Sequence, residues 1–433
     1  MLTNPVVLSV IVMTVLCLLR LNVILSLIVA ALVGGLAAGM PIGETMGVLV
    51  GGMGGNAETA LSYILLGALA AAIAKSGAAD VLALKIAQVI KGKGIVLLVV
   101  LAVVASLSGT VIPIHIAFIP ILIPPLLPLM NKMGLDRRAA ASALAFGLKA
   151  PYITLPIGYG LIYHNIIRDQ MTLSGMEITT NMVWKSTWIA GLAMLTGFII
   201  ALIIYRKKRE YHTVELDGHK TVDLDEKVVI TGKHYAALGA GIVAIAIQLK
   251  FGSMPLGALS GLAFMLIARA IKWSQLEEML TGGIKLMGMI AFVMLVAAGY
   301  ASVMRATGGV ETLVAASSSA IGSKFMGATI MILMGLVITM GIGTSFGTIP
   351  IIAAIYVPLA QSLGFSVQAT ILLIAIAAAL GDAGSPASDT TLGPTAGLNA
   401  DGQHDHIWDT CVPTFLCYNI PLVIFGIIGA VIL

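Results

Sequence analysis

Long apolar runs, separated by short polar segments, recur along the whole chain. The pattern predicts three apolar spans in each half, near residues 4–20, 22–40 and 57–76 and again near 233–249, 254–271 and 285–304. A membrane-crossing helix needs about 20 mostly apolar residues, which these runs approach. Less apolar stretches follow at residues 78–92 and 309–323, where we expect helices lying at the membrane interface.

Each half then continues with a hairpin and a broken helix. Residues 94–131 and 325–362 hold two apolar arms around a polar Gly/Thr/Pro tip, and we interpret both as re-entrant hairpins. Broken helices are predicted at 137–168 and 366–398, and last spans at 182–205 and 408–432. The pattern therefore divides the chain into a first unit (1–205, scaffold helices within 1–76), a linker (206–233) and a second unit (234–433, scaffold helices within 234–304).

The two units resemble each other in sequence. Pro120, Pro128, Gly134 and Pro156 recur 230 residues later as Pro350, Pro358, Gly364 and Pro386 (for example, 350 − 120 = 230). Upstream, one residue of slip aligns Gly51-Gly52 with Gly282-Gly283. Because five crossings per unit is an odd number, the second repeat is expected to be inverted relative to the first. The sequence thus predicts an all-α polytopic membrane protein of two inverted repeats, each with five transmembrane helices, a re-entrant hairpin and a broken helix.

The distribution of basic residues supports this topology. With both termini outside the cell, most Lys and Arg residues, including those of the linker, lie on the cytoplasmic side. Interpreting either hairpin as two full spans weakens this bias. We therefore expect ten crossings of the cytoplasmic membrane, with both termini extracytoplasmic.

Composition excludes other classes of protein. With 59% hydrophobic and 10% charged residues and a mean hydropathy of +1.04, a soluble globular domain is excluded. The three cysteines lie in or beside apolar runs, which argues against a disulfide framework or a zinc site. No phosphate-loop motif is present, so ATP is not expected to supply the energy. The expected partners are the lipid bilayer and a small molecule, without nucleic acid or a bound cofactor.

The second broken helix carries the most informative motif, GDAGSPASDT at residues 381–390. A charge at mid-bilayer costs about 2.5–3.5 kcal/mol, and irregular backbone there must line a cavity or lie within protein. Hydroxyl groups at the two hairpin tips would face this break. The predicted substrate- and ion-binding residues of the break and tips are Ser108, Gly109, Thr110, Thr344, Ser345, Thr348, Asp382, Ser385, Ser388, Asp389 and Thr390. Candidate Na⁺ ligands are Asp382, Ser385, Asp389 and Thr344. The alternative for any single hydroxyl is a bond to its own backbone.

The first broken helix carries a basic residue at the corresponding place. KAPYITLPIG at residues 149–158 contains Lys149, Tyr152 and Thr154, which we add to the predicted site. An isolated lysine in a membrane needs a carboxylate or must be neutral, and we expect a partner on the Asp382 side. A zwitterionic substrate would use both ends, its ammonium on the carboxylate and its carboxylate on Lys149. A purely structural ion pair is the alternative.

Two further polar features have no assigned role. His115 follows the first tip, where it would relay protons or bond a backbone carbonyl. Residues 401–409 hold His404, His406 and three aspartates in a predicted cytoplasmic loop, which we interpret as a capping loop or a pH sensor.

The motif at residues 381–391 resembles the Gly-Asp…Ser-Pro-x-Ser-Asp-Thr signature of the NhaC-type Na⁺/H⁺ antiporter family. Residues 392–411 are similar to its YuiF-like branch, described as histidine permeases. The resemblance implies the ion transporter superfamily fold, an elevator-type transport domain and a homodimeric scaffold. By motif it implies that Asp382, Ser385, Ser388 and Asp389 line the site. The hairpin tips lack the Ser-Asn-Thr of the superfamily's dicarboxylate branch, so that branch's sodium-site details do not carry over.

These observations predict a Na⁺- or H⁺-coupled carrier of a small, histidine-like amino acid. The alternative is a Na⁺/H⁺ antiporter without an organic substrate. Two inverted hairpins argue against an open channel. An enzyme is not expected, because no serine–histidine or metal-binding pair lies at matched depth in the predicted membrane.

Overall fold

A computed structural model describes residues 4–19, 21–77, 81, 94–110, 119–212, 231–309, 312, 322–342, 344–386 and 388–433. Every regular element within these residues is a helix, which confirms the predicted all-α class for this part of the chain. The expected interface helices at 78–92 and 309–323 lie almost entirely outside the described residues. His115 and the end of the first hairpin tip, residues 111–113, lie outside them too.

In the described part of the first half, the helices are α1 (Pro5–Leu18), α2 (Val23–Ala37), α3 (Ile42–Gly52), α4 (Ala57–Lys75), α5 (Gly94–Thr110), α6 (Ile119–Leu122), α7 (Leu127–Met133), α8 (Arg137–Thr154), α9 (Tyr159–Leu173) and α10 (Thr180–Ile204). A 3₁₀ turn, Met53–Asn56, joins α3 to α4. Helices α8 and α9 meet at a bend of 47°. Pro156 and Gly158 lie in the gap between them. Gly158 has a φ of 59° and a ψ of −128°, a conformation that suits glycine.

In the described part of the second half, the helices are α11 (Gly232–Phe251), α12 (Met254–Ile267), α13 (Leu276–Ala306), α14 (Lys324–Ile342), α15 (Ser345–Ser362), α16 (Val367–Leu380), α17 (Asp389–Leu398) and α18 (His406–Ile432). Helix α18 contains two π-helical stretches, His406–Cys411 and Phe415–Asn419.

One long helix begins earlier than the apolar pattern predicts. Helix α4 starts at Ala57, as the pattern predicts, but α13 starts at Leu276 rather than near residue 285. Backbone hydrogen bonding does not require apolar side chains, and Glu277 and Glu278 in the first turn of α13 are favourable at a helix N-terminus. Helix α13 therefore extends beyond its apolar part.

Several helices have the length and composition of membrane spans. Within the described residues five pass this test, and the bent pair α8–α9 would be a sixth. Shorter apolar helices of 10–17 residues accompany them, including α12 and α16. These helices support the conclusion that this is a membrane protein. The expected ten membrane crossings remain a prediction.

Glycines allow α4 and α13 to pack backbone against backbone. A Cβ atom on Gly283 would lie 2.3 Å from the Ala68 nitrogen and 2.7 Å from the Ile64 carbonyl oxygen. Towards the other end of α13, a Cβ atom on Gly299 would lie 2.4 Å from the carbonyl oxygen of Leu49 in α3. Small residues at such crossings are typical of membrane helices, where van der Waals contact drives association. Helices α3, α4 and α13 therefore form a closely packed centre.

A buried ion pair joins the two halves of the chain. The Arg137 guanidinium, at the start of α8, is fully buried and donates to both carboxylate oxygens of Asp401. It also donates to the Leu398 carbonyl oxygen at 2.9 Å, at the last residue of α17, and lies 4.3 Å from the ring centroid of Tyr211. Burial opposes ionisation of Asp401, but the hydrogen bonds and charge of Arg137 lower its pKa overall.

We expect Gly283→Ala to destabilise the protein by about 1–3 kcal/mol, because the added methyl group meets backbone atoms that cannot move aside. Gly47→Ala in α3 is the matched control, since a Cβ atom there meets no atom within 4 Å. Thermal unfolding in detergent should show a lower Tm for the first variant alone. Equal Tm values would contradict the close packing of α4 and α13.

We expect Asp401→Asn to cost about 3–5 kcal/mol, because it leaves the Arg137 charge buried without its partner. Asp169→Asn is the control, since it removes one carboxylate from an exposed ion pair with Arg168, which is worth about 1 kcal/mol or less. The measurement is again thermal unfolding at neutral pH. A similar Tm loss in both variants would contradict the importance of the buried pair.

Candidate functional site

The chain leaves helical geometry between α16 and α17, at residues 381–388. Gly384 has a φ of 99°, and a Cβ atom there would lie 2.4 Å from Phe415 Cβ, so only glycine fits. Helix α17 then restarts with a capping bond, in which the Ser388 hydroxyl accepts from the Thr390 N–H at 3.2 Å. The predicted break in the second broken helix is present.

The Asp382 carboxylate lies in this break and is 5% exposed. The Tyr152 and Ser345 hydroxyls both donate to its Oδ2 atom. The Ser345 N–H, in the first turn of α15, donates to Oδ1 at 3.2 Å, and the Ser388 hydroxyl does so at 3.4 Å. All four groups are donors, which suits an ionised carboxylate that can only accept. Helix α8, the second hairpin tip and the break therefore meet at this side chain.

A second layer of hydroxyls holds the break in shape. The Thr390 hydroxyl donates to the Asp382 carbonyl oxygen at 2.6 Å and lies 3.0 Å from the Ser388 hydroxyl. The Thr391 hydroxyl donates to the Ser385 carbonyl oxygen at 2.6 Å. Irregular backbone inside a membrane must find such internal partners.

Lys149 is fully buried in α8, and its ammonium has no hydrogen-bond partner among the described residues. It forms none of the ion pairs found among the described residues, although the charge of Asp382 acts on it. The expected ion pair with Asp382 is therefore wrong for this structure, in which the Asp382 oxygens accept from Tyr152, Ser345 and Ser388 instead. A buried ammonium without a partner is unfavourable, which makes Lys149 a candidate for binding an anionic group.

Three other predicted hydroxyls bond within their own helices rather than to Asp382. The hydroxyls of Thr110, Thr154 and Thr348 donate to carbonyls four residues earlier in their own helices, at 2.6–2.8 Å. This is the alternative considered for single hydroxyls. The Ser385 hydroxyl donates to the Met340 carbonyl oxygen at 3.3 Å.

For four predicted residues the structure adds little. Thr344 is the N-cap residue of α15 but makes no side-chain capping bond. Ser108 and Gly109 lie near the end of α5, and Asp389 is the first residue of α17, but their side chains are outside the described part of the structure.

Apart from Tyr152, the aromatic rings beside Asp382 escaped the sequence analysis. Phe346, the residue after Ser345, lies 5.2 Å from Tyr152, 5.7 Å from Tyr163 and 5.8 Å from Tyr63 between ring centroids. The cluster connects α4, α8, α9 and α15. Its only sequence signal was the position of Phe346 within the predicted hairpin tip.

Asn419 was also missed. Its side chain is buried in the second π-helical stretch of α18 and donates to the Ala383 carbonyl oxygen at 2.9 Å. A polar residue in an apolar span was the available signal, because such residues usually bond to irregular backbone nearby. Asn419 therefore ties the last helix to the break.

The donor set suits a hard monovalent cation or a proton. The cluster offers carboxylate, hydroxyl and carbonyl oxygens, and no group of three or more His, Cys, Asp or Glu side chains that could hold a metal ion occurs in the described residues. Asp382 supplies the negative charge, and the hydroxyls that now donate to it have lone pairs to offer a cation.

The chain matches known protein families and individual membrane proteins in sequence. Two family models, both described as Na⁺/H⁺ antiporter families, match residues 143–427 and 4–90. A membrane protein of Vibrio parahaemolyticus is 49% identical over 99% of this chain and 100% of its own length. YuiF of Bacillus subtilis, named provisionally as an amino acid transporter, is 46% identical over 99% of this chain and 100% of its own length.

Solved structures share the fold. MtrF of Neisseria gonorrhoeae, described among a class of antimetabolite efflux pumps, matches with a TM-score of 0.61 at 16% identity, over 90% of this chain and 84% of that one. The YdaH transporter of Alcanivorax borkumensis matches with a TM-score of 0.61 at 14% identity, over 98% of both chains. The extent of the family match and of the identity to YuiF shows that this chain belongs to the NhaC-type Na⁺/H⁺ antiporter family and is a secondary transporter.

Proposed function

We propose that this protein moves a small, histidine-like amino acid across the cytoplasmic membrane, coupled to Na⁺ or H⁺, and that it is not an enzyme. One observation carries the proposal: a buried carboxylate with donors from both halves of the chain lies near a buried ammonium that has no partner among the described residues. The family supports the coupling ion, and the provisional name of YuiF supports the amino acid.

Asp382 is the cation-binding end of the proposed site. A Na⁺ ion, a proton or a substrate ammonium bound there would replace the hydrogen bonds that Tyr152, Ser345 and Ser388 now donate. The hydroxyls would then turn their lone pairs towards the cation. Carriers of this kind place such sites at helix breaks near the bilayer midplane.

Lys149 is the anion-binding end of the proposed site. A substrate carboxylate would accept charge-assisted hydrogen bonds from the Lys149 ammonium, for which no described side chain supplies an acceptor. The rings of Tyr152, Tyr163 and Phe346 lie beside Asp382, where they would pack against a planar side chain such as imidazole.

The inverted repeat would provide alternating access, and three contacts support it. Tyr152 and Asp382 are 230 residues apart, the spacing of the repeat, and hydrogen-bond to each other, as expected for equivalent residues beside a pseudo-two-fold axis. The glycine contacts also correspond. With the spacing of 231 residues that aligns Gly51-Gly52 with Gly282-Gly283, the contact of Gly52 with Gly299 maps onto that of Gly283 with Ala68. An elevator-type motion, a homodimeric scaffold and extracytoplasmic termini complete the proposal.

Na⁺/H⁺ antiport without an organic substrate is the second candidate. It is favoured by the family and by the tight occupation of Asp382, whose oxygens are all bonded to protein donors. Exchange of Na⁺ and H⁺ at this carboxylate would require no space for an amino acid.

We expect Asp382→Asn to reduce uptake of labelled histidine into proteoliposomes at least about 30-fold. The variant loses the Asp382 carboxylate, which is the only negative charge at the cation-binding end among the described residues. Uptake is measured with an imposed Na⁺ gradient and, separately, with an imposed pH gradient. Thr348→Val is the control, since its hydroxyl is buried in α15 but bonds only to its own helix. If no amino acid is taken up but Na⁺ addition drives dye-monitored proton flux that Asp382→Asn abolishes, the second candidate is correct.

We expect Lys149→Met to weaken binding of histidine about 10–100-fold, because a charge-assisted hydrogen bond is worth about 1.5–3 kcal/mol. Histamine lacks the carboxylate, so its competition with labelled histidine should be unchanged by the variant. Thr154→Val, on the same helix, is the control. A wild-type preference for histidine over histamine that persists in Lys149→Met would show that Lys149 does not bind the carboxylate.

A further inference from the structure

A run of basic residues follows the end of α10. Arg206, Lys207 and Lys208 come directly after Tyr205, the C-cap residue of this helix, and all three side chains are exposed. Lys132, in the last turn of α7, is exposed as well. None of these four side chains takes part in the ion pairs found among the described residues. We call the four residues the basic patch.

The start of the linker brings the two parts of the basic patch together. The Arg209 N–H donates to the Gly134 carbonyl oxygen at 3.0 Å. Gly134 ends α7 with a φ of 62°, and a Cβ atom on it would lie 3.3 Å from Lys208 Cβ. The stem of Lys208 therefore lies against this glycine, two residues after Lys132. The patch thus combines cations from two separate elements of the fold.

The linker is fixed in this place by further hydrogen bonds. The Arg209 guanidinium donates to Asp409 Oδ1 at 2.7 Å, and the Tyr211 hydroxyl accepts from the first N–H of α8 at 2.9 Å. The His212 N–H donates to Gln403 Oε1 at 2.7 Å, and Gln403 Nε2 donates to the His212 carbonyl oxygen at 2.8 Å. The basic side chains thus project from an ordered backbone, so a ligand would not have to order the chain when it binds.

Helix α10 presents an apolar stripe that leads to the basic patch. The helix has the length and composition of a membrane span, with 25 residues that extend about 37 Å. Its exposed apolar side chains recur every three or four residues and are between 43% and 58% exposed: Trp188, Leu192, Leu195, Ile199 and Ile203. The stripe ends within one turn of Arg206. Lipid chains in contact with this stripe therefore have their head groups at the level of the patch.

The charge around the patch is mainly positive. Asp136 and Asp409, the nearby acidic residues of the packed helices, are paired with Arg138 and Arg209. Among the described linker residues, Glu210 is exposed beside the patch and opposes its charge. Four unpaired cations next to a membrane span attract anionic lipids, whose phosphates accept charge-assisted hydrogen bonds.

We propose that the basic patch is a docking surface for the head groups of anionic phospholipids, in the leaflet where α10 ends. The lipid phosphate would accept hydrogen bonds from the ammonium groups of Lys132 and Lys208, and the acyl chains would lie along Ile199 and Ile203. A lipid bound in this way connects α7 to the linker and stabilises the folded protein. The surface is separate from the Asp382 site and does not depend on which substrate the protein carries.

The test is thermal unfolding of the full-length protein in micelles of a neutral detergent mixed with phosphatidylglycerol or phosphatidylcholine. Phosphatidylglycerol should give the higher Tm, because a ligand that binds only the folded state stabilises it. A triple variant with Lys132→Gln, Lys207→Gln and Lys208→Gln should need at least about tenfold more phosphatidylglycerol for the same rise in Tm. Each lysine near an anionic membrane surface contributes about fivefold in affinity. High salt should weaken the wild-type response by screening.

A second triple variant removes the same charge elsewhere. It carries Gln at three exposed lysines outside the patch, Lys185 near the opposite end of α10 and Lys250 and Lys324 on other helices. This control should respond to phosphatidylglycerol as the wild type does. Equal Tm values of the three proteins in phosphatidylcholine would show that both variants fold, so that a changed response reports binding.

Four results would overturn the proposal. The first is an equal loss of response in both triple variants, because the response would then follow net charge. The second is the same rise in Tm with inorganic phosphate, which would indicate a site for free anions. The third is a wild type that phosphatidylglycerol stabilises no better than phosphatidylcholine does. The fourth is a response that appears only after the five Asp and Glu residues of 215–226 are replaced by Asn and Gln, which would show that the linker itself covers the patch.

Discussion

The structure depends on keeping one carboxylate satisfied inside an apolar molecule. Asp382 is buried in the gap between two helices, where water cannot replace a missing donor at low cost. The donors come from α8, the second hairpin and the start of α17, so these elements must meet at one point for the chain to fold. Gly384 and Ser388 serve the same requirement, because they let the backbone turn and restart close to the carboxylate. One buried carboxylate thus constrains the local fold.

Close packing elsewhere makes this arrangement possible. Glycines let α4 and α13 cross with their backbones in contact, and the rings of Tyr63, Tyr152 and Phe346 connect α4 to the cluster around Asp382. On the other side of the break, the Arg137–Asp401 pair holds the end of α17 against the start of α8. The two halves are therefore joined both at the site and at the loop. A movement of α17 would therefore change the contacts in both places.

The contrast between Asp382 and Lys149 defines what the site can select. The carboxylate has four donors, whereas the ammonium has none among the described residues. A bare cation would find ligands at one end only, but a zwitterion would satisfy both ends. This asymmetry is the reason for proposing an amino acid carrier rather than simple ion exchange.

The sequence alone determined the helical class, the break and the residues that are out of place in it. Apolar runs predict helices because hydrophobicity and length act locally, and Asp382 and Lys149 are visible because charge in such runs is rare. Tyr152 and Asp382 are 230 residues apart, which is the spacing of the repeat. Only the tertiary structure decided that these two residues bond, that Lys149 has no partner among the described residues, and that Thr110, Thr154 and Thr348 bond to their own helices. The reason is geometric. Hydrogen bonds need atoms placed within tenths of an ångström, and between distant residues that depends on helix crossings, which the linear pattern does not encode residue by residue.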